Sequence, residues 1–418
     1  MTQHIRTQCC IAGGGPAGMM LGYLLARAGV QVLVLEKHHD FLRDFRGDTI
    51  HPSTLTVLDD LGLLDEFLAL PHDEVRELSG EVYGQPVTLA DFRHVPAARQ
   101  FMVLVPQWDF LDFLARRAKA FPSFSLRMDA QVTGLTQDGA RVTGVQVQQG
   151  GEAFTVTADL VVGADGRHTT VREAAGLPTQ ALGVPIDVLW FRVPRDAADP
   201  SRTGGIIQPG AMLVTLNRDT YWQCAYVIPK DGYGQVRAEG LDAFRERIAA
   251  VAPFLADSVH AIGGWDDVKL LGVQVDRMPQ WAREGLLCIG DAAHAMSPVG
   301  GVGINLAIQD AVAAANLLAV PLREGRVALG DLEAVQKRRE WPAKVTQRVQ
   351  VALHEELLSP VLARTQAPSG VPLPVRLLQR LPMLRRLPAR MVGIGVRPER
   401  VQSPDVHPAS PGGQPPLR

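Results

Sequence analysis

Two kinds of hydrophobic pattern divide the chain. Near the N-terminus, the apolar segments at 9–12 and 30–35 predict two short strands that are buried on both faces. Between them, apolar residues recur every three or four positions from Met19 to Ala28, which predicts a helix that ends at Gly29. This strand–helix–strand order is typical of a parallel sheet in an α/β fold.

The middle of the chain follows a different pattern. The segments 184–193, 211–216 and 220–228 are rich in β-branched, aromatic and other apolar residues, and the polar residues between the last two indicate a turn. A shorter segment at 82–87 is typical of a hairpin. These segments predict an antiparallel sheet that is inserted into the α/β fold.

Composition excludes several classes of protein. Apolar residues make up 46% of the 418 residues and charged residues 21%, which is enough core for two lobes. The net charge of −2 argues against nucleic acid as a partner, and no uninterrupted apolar run is long enough to predict a membrane-spanning helix. The four cysteines lack C-x-x-C spacing and the first eight residues are polar, so we predict a reduced, cytoplasmic protein.

The first strand leads directly into a glycine-rich turn with the pattern G-x-G-x-x-G. Its glycines allow the tight turn, the approach of a pyrophosphate to the backbone, and close packing of helix on strand. The helix start offers free N–H groups to phosphate, and an acid follows the second strand where it can meet a ribose hydroxyl. This motif predicts a dinucleotide site but does not separate FAD from NAD. The predicted residues are Gly13, Gly15, Pro16, Ala17, Gly18, Glu36 and Lys37.

Two later strands end in motifs of their own. An apolar strand ends in Asp165-Gly166, and another ends in Gly290-Asp291. Asp291 is placed to accept hydrogen bonds from ribityl or ribose hydroxyls, whereas Asp165 has the alternative role of capping the next helix. A glycine-rich stretch then opens a further helix, whose free N–H groups suit the pyrimidine edge of a flavin. The predicted residues of this stretch are Pro298, Gly301, Val302, Gly303, Ile304 and Asn305.

These three motifs together resemble the single-component flavoprotein monooxygenases of the para-hydroxybenzoate hydroxylase type. The order and spacing match over roughly the first 330 residues. The resemblance implies FAD as the cofactor, with the first motif on its ADP part and the Gly-Asp segment on its ribityl chain and ring. It implies that Asp165 and Gly166 contact both FAD and the passing nicotinamide. It also implies FAD contacts for Arg46 and Gln107, and we add Val132 to that set.

The same resemblance implies a reaction. NADPH or NADH binds transiently, reduces the flavin, and dioxygen forms a flavin C4a-hydroperoxide that hydroxylates an aromatic or polyketide-like molecule. His51 is a weak candidate for a base, with a loop or capping role as the alternative. Alternatives for the whole chain are an FAD-dependent reductase or dehydrogenase of an isoprenoid or quinol, a flavin-dependent halogenase, and a non-catalytic redox sensor.

The inserted sheet is where the resemblance places the substrate. Trp190, Trp222 and Tyr226 are candidate substrate contacts, although sheet core is the commoner role of such residues. His294 follows Asp291 at metal-ligand spacing, but a third ligand is missing, so we predict no metal.

The predicted fold is α/β: a Rossmann-like FAD-binding domain with an inserted, mostly antiparallel β-sheet substrate domain and a helical C-terminal region. We assign 1–74, 101–178 and 276–330 to the first, 75–100 and 179–275 to the second, 331–403 to the third, and 404–418 to a disordered tail. Residues 375–400 carry seven arginines among leucines, which is typical of a membrane-surface helix. Pro382 and Pro388 weaken that interpretation and favour a helix packed on the protein. The pattern predicts no oligomeric state.

Overall fold

The computed structural model describes residues 4–42, 49–200, 203–364, 366 and 370–407. The strands, in chain order, are β1 (His4–Ala12), β2 (Val32–Leu35), β3 (Thr49–Ile50), β4 (Asp73–Val75), β5 (Glu77–Val82), β6 (Gln85–Asp91), β7 (Met102–Leu104), β8 (Phe124–Arg127), β9 (Ala130–Asp138), β10 (Arg141–Gln149), β11 (Glu152–Gly163), β12 (Gln180–Ala181), β13 (Ile186–Pro194), β14 (Gly204–Gln208), β15 (Ala211–Asn217), β16 (Tyr221–Pro229), β17 (Lys269–Leu271), β18 (Asp276–Arg277), β19 (Ala282–Arg283) and β20 (Leu286–Cys288).

The helices, in the same order, are α1 (Pro16–Arg27), α2 (Pro52–Asp60), α3 (Leu64–Leu68), α4 (Gln107–Ala118), α5 (Thr170–Ala174), α6 (Tyr233–Glu239), α7 (Leu241–Val251), α8 (Gly303–Arg323), α9 (Leu329–Leu353), α10 (Ser359–Leu362), α11 (Leu373–Arg380) and α12 (Arg386–Gly393). A π-helical turn, His354–Leu358, joins α9 to α10. Short 3₁₀ turns occur at the Gly290–Ala292 and Val299–Gly301 corners and between α11 and α12.

An eight-stranded sheet carries all three sequence motifs. Its path runs β19-β20-β11-β1-β2-β8, with β10 and β9 attached to the first half of β11. β20, β11, β1, β2 and β8 are mutually parallel, so their carboxyl ends lie at one edge of the sheet. The four residues of β2 are all buried, as expected for a strand that is covered on both faces.

A second, seven-stranded sheet has the strand order β17-β13-β16-β15-β14-β5-β6. It is antiparallel except where β14 meets β5. The predicted hairpin at 82–87 is confirmed: β5 and β6 are joined by Tyr83 and Gly84, whose φ angles of 52° and 74° suit a tight hairpin turn. The domain boundaries given above remain predictions.

Helix α8 is the central core helix. By length and composition Val299–Arg323 is the one described segment that could cross a membrane, but 72% of the most apolar window is buried inside the protein. It packs against α1 and α9, beside the large core that lies between the parallel sheet and its helices. The apolar composition of this segment is therefore explained by its burial in the core of the protein.

The start of the predicted disordered tail is ordered. Asp405 accepts a hydrogen bond at 3.0 Å from Nε of Arg27, and the N–H of Val406 donates to the Arg27 carbonyl at 3.1 Å. The Pro- and Gly-rich composition did not indicate this docking, because it depends on a single arginine at the end of α1. Residues 408–418 lie outside the described residues.

Candidate functional site

The first motif closes a turn in which two glycines are required by packing. A Cβ on Gly13, where φ is 106°, would lie 2.3 Å from the carbonyl oxygen of Ala164, and one on Gly18 would lie 2.0 Å from that of Gly13. Gly15 is different: nothing lies within 4 Å of its ideal Cβ position. The protein itself does not need a glycine there, so the open space is available to a ligand.

The start of α1 adjoins that open space. Gly15 is its N-cap residue without a side-chain cap, Pro16 occupies the first position, and the first intrahelical bond runs from the Met19 N–H to the Gly15 carbonyl. The N–H groups of Ala17 and Gly18 belong to the first turn and have no partner inside the helix. Their partial positive charge favours an anionic group in front of the turn.

Glu36 fastens the end of β2 to the same turn. It is 6% exposed, and its carboxylate accepts hydrogen bonds from the N–H of Gly14 at 2.9 Å and from the N–H of His38 at 3.0 Å. Lys37 beside it is exposed. Glu36 therefore holds the glycine turn in place. Its predicted contact with a ribose hydroxyl remains a prediction.

The Asp-Gly motif at the end of β11 lies next to the first turn. One carboxylate oxygen of Asp165 accepts a hydrogen bond from the N–H of Val171 in the first turn of α5, although the N-cap residue of that helix is Thr169. The other oxygen, Oδ1, is buried without a partner among the described residues. Burial raises the pKa of Asp165. Gly166 has a φ of 83° with open space around it.

Asp291 lies at the end of the neighbouring strand, in the 3₁₀ turn after β20. Its side chain is 36% exposed and pairs with Nε of Arg167 at 3.3 Å. The buried Arg172 adds a second link, because its guanidinium donates to the carbonyl of Ala292 at 3.0 Å. The Asp-Gly and Gly-Asp corners are thus held together, at the same sheet edge as the first turn.

The glycine-rich stretch follows, and residues 298–302 are called the glycine loop below. A Cβ on Gly301, where φ is 62°, would lie 2.7 Å from Oγ1 of Thr49. Helix α8 begins directly after this loop at Gly303, so the N–H groups of Gly303, Ile304 and Asn305 belong to its first turn. Pro298 and Val302 flank the loop glycines.

The side chain of Asn305 is fully used by the protein. Its amide oxygen accepts from the N–H of His51 at 2.8 Å and from Oγ1 of Thr54 at 2.7 Å. Its amide nitrogen donates to the carbonyls of Thr49 at 3.0 Å and Gly301 at 3.2 Å. Only the backbone N–H of Asn305 is therefore available for the predicted contact with a flavin.

His51 lies behind the glycine loop and is completely buried. Its Nδ1 lies 2.7 Å from the carbonyl oxygen of Val392, so Nδ1 carries the hydrogen and Nε2 keeps a lone pair. Nε2 has no partner in the part of the chain that the structure describes. Burial lowers the pKa of His51 to about 4, which makes it a weak base at neutral pH and argues against the catalytic role we considered.

The other three predicted cofactor residues belong to none of the three motifs. Gln107 is the first residue of α4 and follows β7, which pairs with β3 at Thr49. Val132 is buried in β9 and pairs with Val147 of β10. Arg46 lies outside the described residues, so its predicted place over the FAD remains a prediction.

The two faces of β13 and β16 separate the three aromatic substrate candidates. Trp190 packs in a cluster with Val188 and Val227 that also contains Val299 of the glycine loop. Trp222 and Tyr226 belong to the opposite cluster and are at most 5% exposed. Tyr226 packs on Phe244 of α7, and Trp222 packs on Phe254. We therefore correct the substrate prediction for Trp222 and Tyr226, because both are core residues on the far face of the sheet.

Sequence reasoning missed the support that α9 gives to the glycine loop. The side chain of Gln350 accepts from the N–H of Ser297 at 3.1 Å and donates to the carbonyls of Ser297 and Val299 at 2.9 Å each. Nε2 of His354 lies 2.9 Å from the hydroxyl of Ser297. The spacing of Gln347, Gln350 and His354 on one helix face was the available signal.

A buried charge network holds the Gly-Asp corner from behind. Asp310 of α8 accepts from the N–H of Gly290 at 3.1 Å, from Nε2 of His294 at 2.6 Å and from Nε of Arg339 at 3.0 Å. Burial opposes ionisation, but His294 and Arg339 outweigh it and lower the pKa of Asp310. His294 thus orients the corner. Among the described residues no group of three or more His, Cys, Asp or Glu could hold a metal ion.

A surface cleft lies elsewhere on the same sheet. It is lined mainly by residues 5–8 of β1 and 31–33 at the amino end of β2, with Ser125 and Arg127 of β8. Ligands of open α/β sheets bind at the carboxyl ends of the strands, where the motif corners are. The cleft is therefore not part of this site.

Comparison with known proteins decides which cofactor fits this edge. The model of the family described as FAD binding domain matches residues 6–349. 6-Methylpretetramide 4-monooxygenase of Streptomyces rimosus is 35% identical over 414 residues, which cover 96% of this chain and 97% of that protein. The chain belongs to the FAD-dependent monooxygenases.

Two further members of this group extend the comparison. The 12-dehydrotetracycline 5-monooxygenase/anhydrotetracycline 6-monooxygenase of Streptomyces rimosus subsp. rimosus is 31% identical over 318 residues, and the match spans 74% of this chain but 61% of that protein. The crystal structure of PqsL, a probable FAD-dependent monooxygenase from Pseudomonas aeruginosa, matches 86% of this chain and 97% of its own with a TM-score of 0.71 and 22% identity. The predicted family, α/β fold and FAD cofactor are confirmed.

Proposed function

We propose that this FAD-dependent monooxygenase hydroxylates a planar, largely apolar aromatic molecule of the polyketide type, with NADPH or NADH as reductant and dioxygen as oxidant. One observation carries the substrate class. Val299 of the glycine loop packs in the same apolar cluster as the Trp190 face of the seven-stranded sheet, beside Met212 and Val214. The relative that matches nearly the whole chain is named for oxidation of 6-methylpretetramide, which supports the proposal.

FAD would be held at the carboxyl edge of the parallel sheet. Its pyrophosphate would take the open space at Gly15, and its ribose would meet Glu36, whose carboxylate is held by two N–H groups. Asp291 would accept from hydroxyls of the ribityl chain. The N–H groups at the start of α8 would meet the pyrimidine edge of the ring, because a helix start favours negative charge.

When bound, FAD supplies the electron transfer and the activation of dioxygen. The protein orients the substrate and excludes water. Trp190 is the largest side chain of the partly buried apolar face, and Met212 and Val214 continue that face along β15. An apolar face of this kind suits a flat ring system.

Oxygen uptake tests this function. Purified protein that contains FAD should oxidise NADPH or NADH faster when a polycyclic aromatic phenol is added, and the product should carry one atom of isotopically labelled dioxygen. Changing Trp190 to Ala should raise KM for that phenol more than it lowers kcat. The matched control is Trp341→Ala, since Trp341 is 55% exposed on α9 and away from the face.

The alternatives give other results. An FAD-dependent reductase or dehydrogenase would transfer electrons to the organic molecule without incorporating labelled oxygen. A halogenase would need halide for product formation, and a redox sensor would show no turnover with any candidate. Any of these three results would contradict hydroxylation while leaving FAD binding intact.

We also propose that the protein works in the cytoplasm. Cys9, Cys10, Cys224 and Cys288 are all buried and unpaired with one another, as expected in a reducing compartment.

A further inference from the structure

The C-terminal helices α11 and α12 are firmly attached to the edge of the seven-stranded sheet by one face. Val375 packs with Val82 and Val87, and the side chain of Gln379 donates to the carbonyl of Thr88 at 2.9 Å. Ala389 is completely buried in a cluster with Phe92. The orientation of this helix pair is therefore set by the protein.

The opposite face exposes large apolar side chains. Leu373, Leu377 and Leu381 follow one another at helical spacing and are 71%, 46% and 50% exposed. Met383 and Leu387 continue the row at 74% and 67%. A cluster of such side chains on a protein surface marks an interaction site.

The charges within this helix pair are all positive. Arg376, Arg380, Arg386 and Arg390 are exposed, and none of the four forms an ion pair within the described residues. The sequence contains no Asp or Glu from 357 to 398. The row of apolar side chains and these four arginines are called the arginine–leucine face below.

Two prolines, at 382 and 388, argue against one continuous membrane-surface helix over 375–400, but they are compatible with two shorter helices. Pro382 begins the 3₁₀ turn that separates α11 from α12, and Pro388 lies in the first turn of α12. At both places the missing N–H would have had no helical partner, so the prolines do not break either helix. They divide the segment into two short amphipathic helices.

We propose that the arginine–leucine face docks on a bilayer surface that contains anionic phospholipid. The leucines and Met383 would enter the boundary between headgroups and acyl chains, while the guanidinium groups reach the phosphates. A second copy of this chain is disfavoured as the occupant, because it would bring two sets of unpaired arginines together. A fluid bilayer needs no complementary shape, which fits a narrow row on two short helices.

Vesicle sedimentation with the full-length, FAD-loaded protein tests the proposal. The protein should sediment with phosphatidylglycerol-containing vesicles and not with phosphatidylcholine vesicles, and added salt should release it. The variant in which Arg376, Arg380, Arg386 and Arg390 become Gln should bind about tenfold or more weakly. The variant L377S/M383S/L387S should also lose binding.

Matched controls remove the same charge or the same apolar groups elsewhere. Arg6, Arg192, Lys337 and Arg348, all exposed, are changed to Gln in the first control, and Leu317, Val349 and Leu353 to Ser in the second. Both should bind as the wild type does. FAD content and melting temperature, measured on every variant, establish that each is folded.

Four results would overturn the proposal. The wild type could fail to bind anionic vesicles, or bind both vesicle types equally. The two variants of the face could bind as well as the controls do. The wild type could self-associate in solution, with monomers in the variants, which would assign the face to a second copy. Oxygen uptake does not enter these readouts, so they are independent of the proposed hydroxylation.

Discussion

At the scale of single residues, the three glycines of the first motif are constrained by different physical causes. Gly13 and Gly18 are enclosed by backbone atoms, so any side chain there would clash with the fold itself. Gly15 has free room and an ordinary extended backbone with φ −73° and ψ −176°. Of the three glycines, only Gly15 can therefore be substituted without a clash inside the protein, so a side chain there would affect the ligand alone.

Changing Gly15 to Val should therefore leave the protein folded and weaken FAD binding. Overpacking against the pyrophosphate by about 1–3 kcal/mol corresponds to roughly 5- to 150-fold in Kd, measured by flavin fluorescence. Gly234→Val is the matched control, because Gly234 in α6 also has nothing within 4 Å of its Cβ position. Equal flavin affinity in the two variants would refute the pyrophosphate assignment.

His51 gives a second prediction, about acid stability. Its folded pKa is about 4 and its unfolded value about 6.5, so the unfolded chain binds more protons between these pH values. The stabilisation is complete above pH 6.5 and falls as the pH drops towards 4, by about 3 kcal/mol in total. His51→Asn retains a donor for the Val392 carbonyl and does not titrate. Its unfolding free energy should fall less between these pH values, and an identical fall in both proteins would contradict this origin.

At the scale of elements, α9 determines the shape of the glycine loop. Gln350 pairs with the main chain of Ser297 and Val299 much as a neighbouring strand would. Gln336 on the same helix does this for another loop, accepting from the N–H of Trp281 at 2.9 Å and donating to the Pro279 carbonyl at 2.8 Å. The helix thus carries two similar clamps, one of them at the candidate flavin site.

Gln350→Leu should lower the free energy of unfolding, since it leaves buried main-chain groups of Ser297 without partners at about 1–3 kcal/mol apiece. Gln336→Leu should lower it less, because the bonds of Gln336 are part-buried and exposed. Only Gln350→Leu should also weaken FAD binding, as measured by equilibrium titration of the apoprotein. A similar loss of flavin affinity in Gln336→Leu would mean that general destabilisation, and not the glycine loop, is the cause.

The sequence predicted the elements around the motifs well, because each motif coincides with a change from strand to helix. It failed where one strand is buried on both faces. Along β16, residues of both faces are apolar, so alternation could not tell that Trp222 and Tyr226 face α7 while Ala225 and Val227 face the glycine loop. The polar residues of α9 were equally ambiguous, because glutamines on a helix usually face water.

At the scale of the whole molecule, one carboxylate joins distant parts of the chain. Asp310 connects the Gly-Asp corner to Arg339 of α9, and Arg339 donates in turn to Glu399 at 3.3 Å near the C-terminal end of the described chain. All three charged groups are at most 3% exposed. Core helix, supporting helix and C-terminal segment therefore meet in a single buried network.

Asp310→Asn should be strongly destabilising, by about 3–5 kcal/mol, because it removes the buried anion that Arg339 and His294 share and leaves Glu399 as the carboxylate partner of Arg339. Chemical denaturation at neutral pH measures this cost. The exposed pair Arg326–Glu324 is the control, and Glu324→Gln should change stability by less than about 1 kcal/mol. In acid, the contribution of Asp310 is retained at pH 3.8 and above and is lost as the pH falls through its lowered pKa. Equal costs for the two substitutions would contradict the network.

The clamp between Gln350 and the glycine loop also has a consequence for biosynthesis. The first glycine turn leaves the ribosome early, yet the loop that completes the predicted pocket depends on a helix that ends near residue 353. At roughly 5–20 residues per second, translation needs about 20–70 s to pass from one to the other. Throughout that interval the nascent chain has an exposed half-site, so flavin capture is expected to be a late event that completes folding of the finished polypeptide.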